Sequence, residues 1–133
     1  MLIYLAASWP QRMAMREIAK GLSEIGHTVT SHWIHSESPT GMDATDVAAD
    51  PIRARQGSNR DLLDIGYAEL IAVFTDVPSS TGGLHVEFGY ALAGTKPIHI
   101  IGPRLNVFYA PNYPRIQQFN YASEWFDYLR KEY

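Results

Sequence analysis

The sequence predicts an α/β fold: a flavodoxin-like, doubly wound parallel sheet of five strands with helices on both faces. Three observations predict it. Short apolar runs alternate with segments of helical periodicity, most of these runs are uninterrupted by polar residues, and glycine or proline separates them. Because smaller pieces of a 133-residue chain would bury too little apolar surface, we expect residues 1–133 to form a single domain.

The first quarter of the chain predicts a strand, a helix and a second strand. Residues 2–7 form an apolar run that indicates a buried strand. In residues 11–25 apolar side chains recur at three- and four-residue spacing, which predicts an amphipathic helix closed by Gly26. Residues 27–34 alternate in polarity and are rich in β-branched types, so we expect a second strand there.

The middle of the chain begins with a polar segment, residues 35–50, which we expect to be a long loop. Asp50 followed by Pro51 is typical of a helix start, and this helix is expected to reach about Tyr67. Residues 70–74 then form a third apolar strand.

The last part of the chain repeats the alternation of helix and strand. A helix is expected over residues 82–93, a fourth strand over 97–101 and a short fifth strand over 116–119. The final helix, about residues 121–131, carries large apolar side chains on one side.

Composition narrows the possible functions. The net charge of −3 and the pI of about 5.9 give no basic face, so we expect no nucleic-acid polymer as a partner. The absence of cysteine excludes disulfides and cysteine-based zinc sites. The apolar run near the start is too short for a signal segment or a membrane span, so we expect a cytoplasmic protein without a membrane partner.

Residues that could bind a ligand or take part in catalysis come directly after the first and third predicted strands. In a flavodoxin-like order these strands flank the switch point where ligands bind, which directs attention to Ala7–Arg12 and Thr75–Glu87. The turn Thr75–Gly83 is polar and glycine-rich, and it leads into a helix whose first N–H groups are unpaired. Taken alone, such a turn is more often a plain connection than a binding loop.

Three further residues have two interpretations each. Glu87, among apolar neighbours, is either an ordinary exposed helical glutamate or a placed nucleophile or base, and periodicity alone favours the first. Tyr4 is either a core tyrosine or a hydrogen-bond donor that orients a carboxylate. Asp61 shares a helix face with Asp64, and the pair is either solvated charge or the source of a carboxylate opposite Glu87, as glycosyl transfer uses.

The sequence predicts neither a metal site nor a cofactor. The five histidines are scattered, and His32 and His35 have no carboxylate at metal-ligand spacing. The sequence also lacks a G-x-S-x-G elbow, a Walker A loop and a Rossmann G-x-G-x-x-G.

The order and spacing of these segments resemble the nucleoside 2-deoxyribosyltransferase family over nearly the whole chain. The matching residues are Ile3-Tyr4-Leu5-Ala6-Ala7-Ser8-Trp9, Gly26-His27-Thr28-Val29, Asp61, and Gly82-Gly83-x-x-x-Glu87-x-Gly89-Tyr90-Ala91-Leu92-Ala93 followed by Lys96-Pro97. The resemblance implies that Glu87 is a nucleophile that forms a covalent deoxyribosyl-enzyme, that Tyr4 orients it, and that Asp61 exchanges a proton with the base.

The same resemblance implies an oligomer. Asn106, within Arg104-Leu105-Asn106-Val107-Phe108, is similar to an asparagine that the family lends to the neighbouring subunit's site. We therefore expect a homo-oligomer with shared sites, acting on small deoxynucleosides or deoxynucleotides and on nucleobases.

At one position the sequence differs from some relatives and is instead similar to a second branch of the family, which hydrolyses nucleoside 5′-monophosphates. Thr81 stands six positions before Glu87, where some relatives carry an acidic residue. Ser8 and Arg12 stand where that branch gathers phosphate-binding groups, and His85 is placed to contact a 5′-substituent. The predicted substrate-binding residues are Ser8, Trp9, Arg12, Thr81, Gly82, Gly83, His85 and Asn106.

Four functional hypotheses follow. The first is transfer of 2-deoxyribose between nucleobases through Glu87, and the second is hydrolysis of a deoxynucleoside 5′-monophosphate by the same nucleophile. The third is a non-catalytic nucleotide-sensing domain, and the fourth is an NAD-cleaving domain that also uses one glutamate.

Overall fold

Five parallel strands form one sheet in the order β2-β1-β3-β4-β5. Their bounds are β1 Leu2–Ala6, β2 Thr28–Val29, β3 Leu70–Phe74, β4 Ile98–Ile101 and β5 Ile116–Phe119. The computed structural model describes residues 1–37, 44–78, 82–110 and 114–133. The strand order is the flavodoxin-like order predicted from the sequence, with its switch point between β1 and β3.

Helices cover both faces of this sheet, as predicted. Their bounds are α1 Arg12–Glu24, α2 Ala44–Ala49, α3 Pro51–Tyr67, α4 Gly83–Ala93 and α5 Ala122–Glu132. Apolar side chains of α1 and α5 pack on one face of the sheet, and those of α3 and α4 pack on the other. The strands are therefore buried on both sides, which explains their nearly continuous apolar sequences.

The alternation of side chains along β1 decides what each face receives. Ile3 and Leu5 point to the face covered by α1 and α5, whereas Tyr4 and Ala6 point to the face covered by α3 and α4. A tyrosine thus enters the layer between the sheet and α4, where its hydroxyl needs a polar partner.

The second strand is shorter than the sequence predicts. Only Thr28–Val29 pairs with β1, and His32–His35 forms a 3₁₀ helix instead of continuing the strand. The chain leaves the sheet because side-chain hydrogen bonds replace the ladder: the Ser31 hydroxyl accepts from the Leu5 N–H at 2.6 Å and donates to the Leu5 carbonyl at 3.2 Å. An alternating sequence pattern does not distinguish backbone groups that pair with a neighbouring strand from backbone groups that pair with side chains.

The predicted loop over residues 35–50 is also wrong in part, since Ala44–Ala49 is helical and packs against α3. Residues 38–43 of that segment lie outside the described residues. The boundary between α2 and α3 is the predicted cap: the Asp50 carboxylate accepts from the Arg53 N–H at 3.0 Å, and Pro51 opens the helix.

None of the helices among the described residues has the length and apolarity to cross a bilayer. The carboxyl edge of β1 continues into a 3₁₀ helix at Trp9–Gln11, and that of β4 leads to another at Val107–Tyr109.

Candidate active site

The hydroxyl of Tyr4 donates a hydrogen bond to Glu87 Oε1 at a distance of 3.0 Å. Tyr4 is fully buried on β1, and Glu87 lies in the second turn of α4, so the contact joins the central sheet to the helix that covers it. Of the two interpretations of Tyr4, the structure agrees with the second, in which the hydroxyl donates a hydrogen bond to a carboxylate.

The start of α4 brings Glu87 to this position. Gly82 precedes the helix in the left-handed conformation, with a φ of +85°, which favours glycine. Leu84, Phe88 and Ala91 bury one side of α4 against the sheet, and Glu87 follows on the adjoining side. Glu87 is partly buried, so it is not the ordinary exposed glutamate that periodicity alone favours.

The surroundings of Glu87 favour its protonated form. Burial raises the pKa of Glu87 to about 8, and the negative charge of Asp61 acts in the same direction. The hydrogen bond from Tyr4 opposes this shift by stabilising the carboxylate. The pKa of Tyr4 itself lies well above its ordinary value, because the hydroxyl is desolvated and faces Glu87.

Asp61 is the second carboxylate of the pair. Burial raises the pKa of Asp61 to about 6, the charge of Asp64 raises it further, and His32 lowers it. Two carboxyl groups with raised pKa values of about 6 and about 8 hold one proton between them near neutral pH.

Both carboxylates line one cleft of about 830 Å³. Its wall is formed by the end of β1, the 3₁₀ helix at His32–His35, most of the first three turns of α3 and the start of α4. Residues in this wall include Ala7, Ser8, Trp9, His32, Trp33, Gly57, Arg60, Asp61, Leu62, Gly83, Leu84, Val86 and Glu87. This volume is typical of a small-molecule site.

Two indole rings stand on the β1 side of the cleft. The centroids of Trp9 and Trp33 are 6.5 Å apart and their planes are tilted by 42°. The Trp33 indole N–H donates to the Leu5 carbonyl at 2.8 Å, which fixes that ring against the sheet. Flat apolar surfaces of this kind suit a nucleobase or a sugar face.

A buried carboxylate, Asp64, lies next to this wall. Only 2% of its surface is exposed, so it is not the solvated charge that its position on a helix allowed. It accepts from the His32 N–H at 3.0 Å, His32 Nδ1 lies 2.9 Å from the same oxygen, and Arg60 Nε lies 3.2 Å from the other oxygen.

The structure gathers several of the predicted substrate-binding residues. Ser8, Trp9 and Gly83 line the cleft, and Gly82 immediately precedes α4. Arg12 does not line it, but its guanidinium carbon lies 4.7 Å from the centroid of the Trp9 ring. Within the described parts of the chain, Arg12 Nε is buried and makes no hydrogen bond.

The other predicted binding residues are not brought into the cleft of a single chain. His85 bonds to the hydroxyl of Tyr109 through Nδ1 at 3.0 Å and is absent from the lining. Asn106 is exposed, and its Oδ1 accepts from the Phe108 N–H at 2.9 Å as the cap of a 3₁₀ helix. Thr81 lies outside the described residues.

Sequence reasoning missed Trp33, Arg60 and the contacts of His32. Both Trp33 and His32 fall in the segment predicted as a strand, and Arg60 is one of several arginines in the chain. A possible signal was the i, i+4 spacing of Arg60 and Asp64, although this spacing usually marks an ordinary surface pair. Among the described residues no group of three or more histidine, aspartate and glutamate side chains is placed to hold a metal ion.

Comparison with known proteins identifies solved structures that share the fold of this chain. No protein-family model and no curated protein sequence matches the chain. Among solved structures, the CMP N-glycosidase BcmB of Clostridium botulinum matches with a TM-score of 0.64 and 20% identity, covering 97% of this chain and 98% of that one. A 2-deoxyribosyltransferase from Bacillus psychrosaccharolyticus matches with a TM-score of 0.66 and 19% identity, covering 100% of this chain and 92% of that one. The chain therefore has a fold shared with both enzymes over nearly its whole length.

Proposed function

We propose that this chain is a member of the nucleoside 2-deoxyribosyltransferase family and transfers 2-deoxyribose between nucleobases through a covalent intermediate on Glu87. The observation that carries the proposal is the 3.0 Å hydrogen bond from Tyr4 to Glu87, in a cleft that Asp61 also lines. The fold shared with a 2-deoxyribosyltransferase supports it, as does the order of the sequence motifs.

In the proposed first step a Glu87 oxygen bonds to the anomeric carbon of the nucleoside. The bond from that carbon to the base nitrogen breaks, its electron pair stays on the base, and protonated Asp61 supplies the proton that neutralises the base. The transition state resembles an oxocarbenium ion, which the negative charge of Glu87 stabilises. Tyr4 holds one carboxylate oxygen and leaves the other to attack.

In the second step the nitrogen of another base attacks the same carbon and releases Glu87. That base loses its proton to Asp61, which restores the starting state. With pKa values of about 6 and about 8 the pair holds one proton near neutral pH, mainly on Glu87, and the reactive form is the one in which that proton lies on Asp61 and Glu87 is the anion.

A second candidate is hydrolysis of a deoxynucleoside 5′-monophosphate, and Arg12 is the observation that favours it. Its Nε is buried without a hydrogen bond among the described residues, beside Ser8 and Trp9 at the end of β1. A buried guanidinium nitrogen without a partner is costly, and a phosphate oxygen would satisfy it. The fold shared with a CMP N-glycosidase supports the same candidate.

The proposal includes a homo-oligomer in which Asn106 completes a neighbouring site. Apolar side chains of α3 and α4 and of the Val107–Tyr109 helix are exposed in the single chain: Leu63, Tyr67, Val86, Tyr90, Val107 and Phe108. Exposed apolar groups next to a cleft are typical of an interface. Asn106 uses its carbonyl oxygen as a cap, so its amide nitrogen is left to face a partner.

The nucleophile is tested by intact-mass measurement after brief exposure to a 2-fluoro-2-deoxynucleoside. The fluorine slows breakdown of a glycosyl-enzyme, so we expect one added sugar, located on Glu87 by peptide mapping. Glu87→Gln should show no adduct, and Glu17→Gln, at an exposed position on α1, should keep it. Absence of an adduct, together with base binding that E87Q leaves unchanged, would support a non-catalytic nucleotide-sensing domain instead.

Transfer and hydrolysis are separated by two incubations. Exchange of bases between deoxyinosine and adenine supports transfer, whereas release of free base from deoxynucleoside monophosphates alone supports the second candidate. In that case Arg12→Met should raise KM for the monophosphate at least tenfold, since a charge-assisted hydrogen bond contributes about 1.5 to 3 kcal/mol. Release of nicotinamide from NAD would instead support an NAD-cleaving domain.

Shared sites are tested by mixing two inactive variants, Glu87→Gln and Asn106→Ala. A mixed oligomer contains a site with a native Glu87 and a native Asn106 from the partner subunit, so mixing should recover activity. No recovery from variants that each sediment as oligomers would contradict the shared site.

A further inference from the structure

The wall of the cleft contains an arginine that is held in place by two other residues. Arg60 is half-exposed on α3, with 53% of its side chain accessible, yet Asp64 and His32 both contact its guanidinium group. An exposed arginine on a helix ordinarily samples many rotamers, so this degree of fixation needs a cause.

The cause is the buried carboxylate of Asp64. Removing a carboxylate from water costs several kcal/mol unless donors compensate it. Asp64 has three such contacts: the backbone N–H of His32 donates to it, His32 Nδ1 lies 2.9 Å from Oδ2, and the Arg60 cation pairs with Oδ1 through Nε at 3.2 Å. These donors come from α3 and from the 3₁₀ helix at His32–His35, so the carboxylate ties the two elements together.

The histidine completes the arrangement. The His32 ring lies between the other two side chains: its Nδ1 is 2.9 Å from Asp64 Oδ2 and 3.1 Å from Arg60 Nε, and Arg60 Nη2 contacts both ring nitrogens. Arg60 Nε faces Asp64 at 3.2 Å. Among the described residues the remaining terminal nitrogen, Nη1, makes no hydrogen bond, which leaves two N–H donors at the wall of the cleft.

The neighbours of Arg60 on α3 lack this fixation. Arg53 and Arg55 also line the cleft, but neither guanidinium group has an ion pair within the part of the chain that the structure describes. Fixed donors are more effective than mobile ones at stabilising charge that develops during a reaction, because they do not have to reorganise. The geometry therefore singles out Arg60.

Resting on the function proposed above, we propose that Arg60 contacts the nucleobase and stabilises the electron pair that the base receives when the glycosidic bond breaks. Its partner is the acceptor atom beside the glycosidic nitrogen, which is N3 of a purine or O2 of a pyrimidine. Arg60 donates a hydrogen bond to this atom and transfers no proton; the proton that neutralises the base still comes from Asp61. His32 and Asp64 are positioning residues that act through Arg60.

The test compares nucleosides that differ in that one acceptor. The pairs are deoxyadenosine with 3-deaza-2′-deoxyadenosine and thymidine with 2-thiothymidine, each as nucleoside and as 5′-monophosphate. We expect the ratio of kcat/KM, parent over analogue, to be about tenfold larger in the unaltered protein than in Arg60→Met. Differences in the intrinsic reactivity of the two bases affect both proteins equally and cancel in this comparison.

Arg130→Met is the matched control, because Arg130 forms a similar ion pair with Asp127 on α5, on the opposite face of the sheet. It should leave the ratio unchanged. Asp64→Asn should lower the ratio in the native background and have no further effect on it in the R60M background, as expected for a residue that acts through Arg60.

The outcomes distinguish this proposal from the function on which it rests. If the unaltered protein cleaves no parent compound, the proposed function fails. If it cleaves a parent and R60M has the same ratio, the role of Arg60 alone is overturned. Should R60M fail to fold, Arg60→Lys takes its place, since lysine keeps the charge but lacks the planar fork, and an unchanged ratio there overturns the proposal equally.

Discussion

Tyr4 and Glu87 are 83 positions apart in the sequence, and their side chains meet at 3.0 Å between the tyrosine hydroxyl and the carboxylate Oε1. The tyrosine is fixed because it is fully buried on β1, an interior strand of the sheet. The glutamate is therefore oriented by the most rigid part of the fold, and a nucleophile requires such orientation to reach an anomeric carbon.

Replacing Tyr4 with phenylalanine should lower kcat about 100-fold with little change in KM. The ring still fills its buried site, but Glu87 loses the hydrogen bond that orients it and that holds its pKa down. Steady-state kinetics of base release measures the change. Tyr128→Phe is the control, since its hydroxyl accepts a hydrogen bond from Gln117 at 3.0 Å on the other face of the sheet. Equal kcat values in the two variants would contradict an orienting role for Tyr4.

The pH dependence of kcat/KM should be bell-shaped, with its maximum between about 6 and about 8. The pair carries one proton in this range, mainly on Glu87, and the reactive fraction is the form in which that proton lies on Asp61 and Glu87 is the anion. Below about 6 the pair takes up a second proton and no carboxylate remains to attack, and above about 8 it loses its last proton and no acid remains. A rate profile from pH 4.5 to 10 measures both limbs.

Asp61→Asn should alter this profile in two ways. Asparagine supplies no acid, so the limb above about 8 should disappear and the maximal rate should fall by about 10²- to 10⁴-fold. The variant also lacks the charge that raises the pKa of Glu87, so the single remaining limb, which is set by Glu87, should lie below about 8. A limb at about 8 would show that Asp61 does not influence Glu87.

The fold was largely predictable from the sequence, whereas the contacts of the site were not. Uninterrupted apolar runs identify buried parallel strands, and a glycine with a φ of +87° at position 26 ends the first helix as expected. The residues of the Tyr4–Glu87 contact were named from a resemblance, but the contact itself depends on how α4 lies across β1. No local pattern gives that placement.

The errors have one physical origin. Ser31 and His32 satisfy backbone and carboxylate groups through their side chains, so the chain leaves the sheet where its alternating polarity predicts a strand. Asp64, which the helical pattern allows to be solvated, is buried because His32 and Arg60 compensate its charge. Such contacts between residues distant in the sequence form only in the folded structure, so no periodic pattern in the sequence predicts them.

Glu87→Gln should make the folded protein more resistant to unfolding at alkaline pH. The pKa of Glu87 is about 8 in the folded chain and near its ordinary value of 4.5 in the unfolded chain. Between these values the folded state binds a proton that the unfolded state releases, so the stability of the native protein decreases as the pH rises. Glutamine keeps an acceptor for the Tyr4 hydroxyl and removes this dependence.

Urea unfolding at pH 5, 7 and 9 measures the effect. The free energy of unfolding of E87Q should exceed that of the native protein at pH 9, and the difference should close towards pH 5. Glu17→Gln, at an exposed site on α1, should give curves that follow the native protein at every pH. A constant difference between E87Q and the native protein would mean that Glu87 is not desolvated.

Two glycines should respond to alanine in opposite directions. Gly102 follows β4 with a φ of +115°, and a Cβ there would lie 2.6 Å from Thr75 Oγ1 and 2.9 Å from Asp76 Oδ1. Gly66 lies within α3, and a Cβ there would meet no atom within 4 Å. We expect Gly102→Ala to cost about 2 kcal/mol or more, because backbone strain adds to the collision.

Gly66→Ala should instead stabilise the protein by about 0.5 to 1 kcal/mol, because alanine restricts the unfolded chain and favours the helix. Urea midpoints of the two variants at one pH measure both changes against the native protein.

The collision at Gly102 involves Thr75, whose hydroxyl donates to the Pro103 carbonyl at 2.6 Å and so joins the ends of β3 and β4. Thr75→Ala in the G102A background removes that hydroxyl, so it should recover part of the lost stability if steric collision is the cause. If the double variant recovers none of it, collision with Thr75 is not the cause, and the positive φ of Gly102 and the contact with Asp76 Oδ1 account for the effect.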